Sequence, residues 1–345
     1  VNNFKPLNIS GLAAAIPIIQ GGMGVGVSLS SLAGAVAAEG GIGVISAAQI
    51  GFNRSDFSSS PFKANLDALA LHIKKAKKIA RGGVIGVNIM CAVTHYADYV
   101  KCCVENCADL IISGAGLPLN LPELVKGSAV KIAPIVSSAK AASVLLKMWD
   151  KKYGVTADMV VVEGPKAGGH LGFSAEEVKK EFDPVPIISE ISAYEEKYNK
   201  KIPTVFGGGI FDKGDVEHYL SLGFAGVQIG TRFVTTEECD AHENFKLAYV
   251  NAKQEDVIIT KSPIGLPGRA LNNAFIQKLS AGEKIESCRN CIANCNPKTI
   301  PYCITNALIN SVMGNIDQGL VFCGSEVHKI NEITTVKKLM KELGA

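Results

Sequence analysis

The chain has 345 residues, of which 47% are hydrophobic and 19% charged. That balance excludes a disordered polyelectrolyte and permits a large core without disulfides or structural metals. A formal net charge of +3 leaves no electrostatic footprint for nucleic acid, and no apolar run reaches the roughly 18 residues of a membrane span.

In chain order, short apolar runs ending in Gly, Ser, Asn or Glu alternate with amphipathic stretches. Strands are expected at residues 16–20, 43–45, 85–89, 109–113, 130–136, 158–162, 202–206 and 226–229. Helices are expected at 30–39, 65–81, 96–106, 139–152, 191–200 and 213–222. The basic run at 74–78 reads as the wet face of the second helix. Eight strands separated mainly by helices match a closed α/β architecture, the TIM (β/α)8 barrel. The near-continuous apolar strands fit a parallel sheet covered on both faces. An open doubly wound sheet is the alternative, but Gly22-Met23-Gly24-Val25-Gly26 lacks the spacing of its dinucleotide fingerprint. Beyond residue 240 the alternation loosens. A helix at 242–252 and an apolar stretch at 257–260 precede a Pro/Gly loop at 262–268. Further helices are expected near 270–279, 304–313 and 333–343. The expected organisation is a barrel over 10–240 with a C-terminal extension, 241–345, packed on it.

In a parallel barrel the C-terminal strand ends converge on one rim, where function resides. Glycine is abundant, at 35 residues, and its clusters at 21–22, 168–169 and 207–209 all follow expected strands. Those at 40–41 and 82–83 precede strands and read as turns. In the segment Glu163-Gly164-Pro165-Lys166-Ala167-Gly168-Gly169-His170-Leu171-Gly172, paired glycines let the main chain approach a flat ligand. His170 can there exchange a proton or donate a hydrogen bond. Gly207-Gly208-Gly209 and Gln228-Ile229-Gly230-Thr231 end the last two strands and together form candidate anion-binding loops for a phosphorylated ligand. Gln20-Gly21-Gly22-Met23 and Asn88 complete the rim, with Asn88 suited to a polar ring edge and Met23 to an apolar face. Asp158 reads equally as a strand-start cap and as a ligand contact.

These segments resemble the nitronate monooxygenase family, formerly 2-nitropropane dioxygenases, which includes flavin-dependent enoyl-acyl-carrier-protein reductases. The resemblance rests on Pro17 to Met23, Gly86-Val87-Asn88, Ala167-Gly168-Gly169-His170-Leu171-Gly172, Gly207-Gly208-Gly209-Ile210 and Gly230-Thr231-Arg232-Phe233. It implies a flavoprotein oxidoreductase with noncovalent FMN. The ring would lie against Gln20, Gly21, Gly22, Met23 and Asn88, with Ala167, Gly168 and Gly169 alongside. The phosphate would rest on Gly207, Gly208, Gly209, Gly230 and Thr231, and Lys131, Asp158 and Gln228 are lesser contacts. His170 matches the family's catalytic histidine for oxidation of an alkyl nitronate with oxygen. Lys166 departs from the family, where many relatives carry an acid, and a cation beside His170 disfavours its protonation. That departure keeps open an alternative, NAD(P)H-dependent reduction of an enoyl thioester, with an acyl-carrier protein as partner. The remaining expectations are a small-molecule substrate, no nucleic acid, no membrane, a homo-oligomer and a cytoplasmic location.

Ten cysteines in a chain with no secretory pattern are expected to be thiols rather than a disulfide framework. Cys288, Cys291, Cys295 and Cys303 are close enough in sequence to suggest an iron–sulfur or zinc site, although their spacing matches no common zinc finger or ferredoxin run.

Overall fold

All eight expected strands form, and they close into one parallel barrel in a computed structural model that describes residues 4–279, 288–293 and 295–345. In chain order the strands are β1 (Leu7–Ile9), β2 (Leu12–Ala14), β3 (Ile18–Gln20), β4 (Ile42–Ser46), β5 (Val84–Met90), β6 (Leu110–Gly114) and β7 (Lys131–Val136). They continue as β8 (Val160–Glu163), β9 (Gly169–His170), β10 (Thr204–Gly207), β11 (Gly226–Ile229), β12 (Val257–Lys261) and β13 (Pro267–Leu271). The barrel runs β3 to β8, then β10 and β11, and closes with Val227 opposite Ile18.

Both faces of the sheet are buried, and alternate residues serve different cores. Ile19, Ile42, Val44, Leu110, Ile112, Val161 and Val205 fill the barrel interior. Ile18, Ile45, Ile85, Val87, Ile111, Val160, Val162 and Val227 point outward into the cluster shared with the helices. Two helices begin earlier than the periodicity predicts, at Pro61 rather than 65 and at Val185 rather than 191. Each carries proline in its first turn, where the missing N–H sacrifices no intrahelical bond.

Two features lie outside the sequence expectation. The hairpin β1–β2 places Leu7, Ile9 and Ala14 in the interior cluster with Val84, Leu110 and Met159, all near strand starts. It thereby caps the N-terminal end of the barrel. Full burial of Leu7 and Ile9 stabilises that end by about 1.5–3 kcal/mol each. In the extension, the helix expected near 270–279 begins only at Ala274. Residues 267–271 instead form β13, which pairs antiparallel with β12 on one side and with β9 on the other. Two flanking ladders satisfy its backbone groups, which outweighs a short helical pattern. Phe245, Tyr249, Val312, Val336 and Leu339 of the extension share the outer cluster of the barrel, so the extension packs directly against it. No helix among the described residues is long and apolar enough to cross a membrane.

Candidate active site

The barrel interior is filled by branched side chains, whereas its C-terminal strand ends carry glycines and small polar residues. A cavity of about 440 Å³ therefore opens at that mouth, within the ~300–1,000 Å³ of cofactor and small-molecule sites. Its walls include Gly21, Gly22, Met23, Asn88, Ala167, Gly168, Gly169, His170, Gly207, Gly208, Gly209, Gln228, Gly230 and Thr231. The structure thus brings together residues from five separate segments of the sequence.

Close approaches explain two of the glycines. A Cβ on Gly22 would fall 2.4 Å from the Asn88 Cβ, and one on Gly168 would fall 2.6 Å from the backbone carbon of Cys323. Gly208 and Gly209 have φ of +121° and +79°, the left-handed region that suits glycine. Their amides donate to no acceptor among the described residues. Two unpaired N–H groups at the edge of a cavity fit an anionic oxygen.

His170 reaches the cavity from the two-residue strand β9, which is held against β13 with Gly268 opposite His170. Its Nε2 lies 2.7 Å from the Ser262 hydroxyl, and its ring meets Phe322 edge-on at 5.0 Å between centroids. Burial lowers its pKa to about 4, so the imidazole is neutral at physiological pH. Glu163, also on the wall, is pushed up to about 7 by burial, only partly offset by the backbone of Gly172. Lys166 is exposed at the cavity edge with its aliphatic stem against Gly209. Its ammonium makes no hydrogen bond or ion pair among the described residues.

Three expected contacts lie elsewhere. Gln20 is fully buried and not on the cavity wall; it bridges β3 to β4, donating to Val44 O and accepting from Val44 N, both at 3.1 Å. Lys131 and Asp158 stand at strand starts, at the opposite end of the barrel from the cavity. At ~3.3 Å per residue, the length of a strand separates them from the rim. Asp158 accepts from Ile132 N at 2.9 Å and from Lys200 Nζ at 2.8 Å. Asp109 repeats the device two strands earlier, with Ile85 N at 2.9 Å and Lys77 Nζ at 2.7 Å. These aspartates pin strand entries.

The structure brings the four cysteines of the metal expectation to one place. Cys288, Cys291, Cys295 and Cys303 border one small cavity, yet no group of three His, Cys, Asp or Glu among the described residues is arranged to hold a metal ion. The Cys288 sulfur accepts from Asn290 N, and the Cys291 sulfur lies 3.0 Å from the Thr305 hydroxyl. Burial pushes the Cys291 and Cys295 thiols up.

The extension contributes wall residues that the sequence analysis did not single out. Residues 322–326 cross the mouth and join the cavity wall, with Gly324 N donating to Thr231 Oγ1 at 2.9 Å and Ser325 N to Lys166 O at 3.1 Å. Arg269, 7% exposed, donates to the Ala167 carbonyl and braces the histidine motif from outside the cavity. A glycine at 324 just beyond an apolar Leu320-Val321-Phe322 run was the available signal.

Comparison with known proteins agrees with this geometry. A probable nitronate monooxygenase of Staphylococcus aureus is 30% identical over 230 residues, 61% of this chain, and the match spans only 60% of that protein's length. Its counterpart in Staphylococcus saprophyticus is 28% identical over 284 residues, 76% of this chain and 78% of the relative. Among solved structures, FabK from Thermotoga maritima superposes with a TM-score of 0.73 at 27% identity, covering 96% of this chain and 92% of that one. Nitroalkane oxidase from Streptomyces ansochromogenes, at 19% identity, shares the fold with a TM-score of 0.71 over 96% of this chain and 95% of its own. The family model described as nitronate monooxygenase matches residues 7–345. With a match of that extent, the chain belongs to the nitronate monooxygenase family.

Proposed function

We propose that this chain is an FMN-dependent oxidoreductase that oxidises alkyl nitronates with oxygen, releasing a carbonyl compound and nitrite. The observation that carries the reading is His170, a half-buried neutral imidazole on the wall of a glycine-lined cavity of cofactor size. FMN would supply the redox chemistry, and the protein binds, orients and tunes. The unpaired amides of Gly208 and Gly209 suit its phosphate, while Gly22, Met23 and Asn88 offer a wall for its ring. A neutral His170 donates an N–H to a nitronate oxygen without adding a buried positive charge. The Lys166 ammonium, at the cavity edge with the Glu326 carboxylate as a charged neighbour, draws an anionic substrate inward.

A second reading, NAD(P)H-dependent reduction of an enoyl thioester delivered on an acyl-carrier protein, is favoured by one observation. Lys166, a cation where many relatives carry an acid, stands on the cavity wall. Under it, Lys166 meets a phosphate of the dinucleotide or the acyl carrier. Purified protein titrated with FMN is expected to quench flavin fluorescence at one equivalent per chain. Oxygen uptake driven by an alkyl nitronate, without NAD(P)H, then supports the first reading. NAD(P)H oxidation that requires an enoyl thioester supports the second, and failure to bind FMN rejects both.

A further inference from the structure

Ser262 stands at the turn between β12 and β13, with Oγ 2.7 Å from Nε2 of His170 across 92 residues of sequence. It is 7% exposed and is not part of the cavity wall, so it contacts the imidazole from outside the reaction space. The turn is internally fixed. Ser262 N donates to Leu266 O at 3.2 Å, and Gly265 N to Ser262 O at 3.0 Å. The same hairpin is tied to the histidine's own strand, because Gly268 pairs with His170 and Leu171 N donates to Pro267 O at 2.8 Å. Serine, hairpin and histidine therefore form one braced unit, and Phe322 closes against a further part of the ring.

The hydrogen-bond inventory at Ser262 sets the direction of the short contact. Its oxygen receives the N–H of Ile264 at 3.4 Å. Among the described residues, the only acceptor within reach of its own hydrogen is Nε2 of His170. A buried hydroxyl pairs its hydrogen when an acceptor is at hand, since an unmade bond there costs more than a made one gains. An imidazole that is neutral and accepts at Nε2 carries its hydrogen at Nδ1.

From this geometry we infer that Ser262 is a positioning residue that donates to Nε2 of His170, fixing the tautomer with hydrogen on Nδ1 and leaving that N–H as the ring's donor to substrate. The inference rests on the reading of His170 as the reacting residue. It also deepens that reading by naming the substrate class. The site suits molecules bearing an oxygen that is anionic or gains negative charge during reaction, a nitronate or a thioester carbonyl, because His170 offers a donor rather than a base.

Nitrogen-15 NMR of histidine-labelled protein tests this without turnover, with His170 among the six histidines assigned by its absence in His170→Ala. Near neutral pH the wild type is expected to show unprotonated Nε2 and protonated Nδ1, and the opposite tautomer overturns the inference. In Ser262→Ala the tautomers are expected to mix, and kcat to fall about five- to tenfold, with KM and FMN affinity within about twofold. Ser262→Thr, which keeps the hydroxyl, is expected to restore both. The lost bond to the Nε2 lone pair removes a preference for the neutral ring, so the acid limb of the pH profile moves to higher pH in Ser262→Ala. An unchanged tautomer and kcat in Ser262→Ala overturns the positioning role. If His170→Ala instead keeps wild-type turnover, the proposed function fails separately, because the tautomer measurement stands without it.

Discussion

Glu163 couples the stability of the apoprotein to pH in a way that a single substitution isolates. Its carboxyl ordinarily titrates at 4.5, and burial raises it to about 7 in the folded chain. The unfolded chain ionises Glu163 near 4.5, so the folded state is at its best below that pH. It loses stability as pH rises towards 7, where the buried carboxyl must finally give up its proton. A gap of about two and a half pH units, at about 1.4 kcal/mol each, sets a ceiling of about 3.5 kcal/mol. The side chain borders a cavity that water enters, which keeps the effect below that ceiling. Glu163→Gln keeps the shape and removes the titration. Urea unfolding of both apoproteins at pH 5 and pH 8 is expected to show wild type losing about 2 kcal/mol more than the variant over that interval. Parallel pH dependence in the two proteins refutes the argument.

Three other substitutions separate roles within and outside the cavity. Gly208→Ala forces a Cβ onto a residue at φ +121° and within 3.0 Å of Ala167 N; FMN affinity is expected to fall about tenfold by fluorescence titration, with riboflavin affinity little changed. Equal losses for both ligands would deny the phosphate role. Asp158→Asn breaks the tie to Lys200 and is expected to cost about 1–2 kcal/mol in urea unfolding while leaving FMN affinity intact. A large loss of affinity would return Asp158 to the site. Lys166→Glu is expected to raise KM for a nitronate about tenfold at low ionic strength, with the difference shrinking in high salt; a KM insensitive to the substitution contradicts the steering role.

The barrel was readable because each strand is short, branched and apolar, and ends at a glycine or small polar residue that the rim requires. Position within a strand carried information too. Lys131 and Asp158 open their strands, and strand polarity alone assigns them to the end away from the cavity. A reading of either as a ligand contact runs against that polarity. What the sequence did not disclose is long-range. The pairing of Gly169–His170 with Gly268 and Arg269 joins two glycine-bearing segments that have no alternation to announce a strand. Ser262 and residues 322–326 reach the site only through that folding-back of the extension. The cysteine spacing suggested one site, and the structure does place all four sulfur-bearing residues around one small cavity, with Asn290 and Thr305 as local partners of two of them. Lys166 was visible as a departure from its family, and the structure adds that its charge has no ion-pair partner among the described residues.

The central claim is that the histidine-faced cavity is where bound flavin meets substrate, and His170→Ala tests it most directly. FMN-reconstituted wild type and variant are compared for bound flavin and for oxygen uptake with an alkyl nitronate. If the variant keeps one flavin per chain and loses turnover by about a hundredfold or more, the account holds. Wild-type turnover in the variant would contradict it.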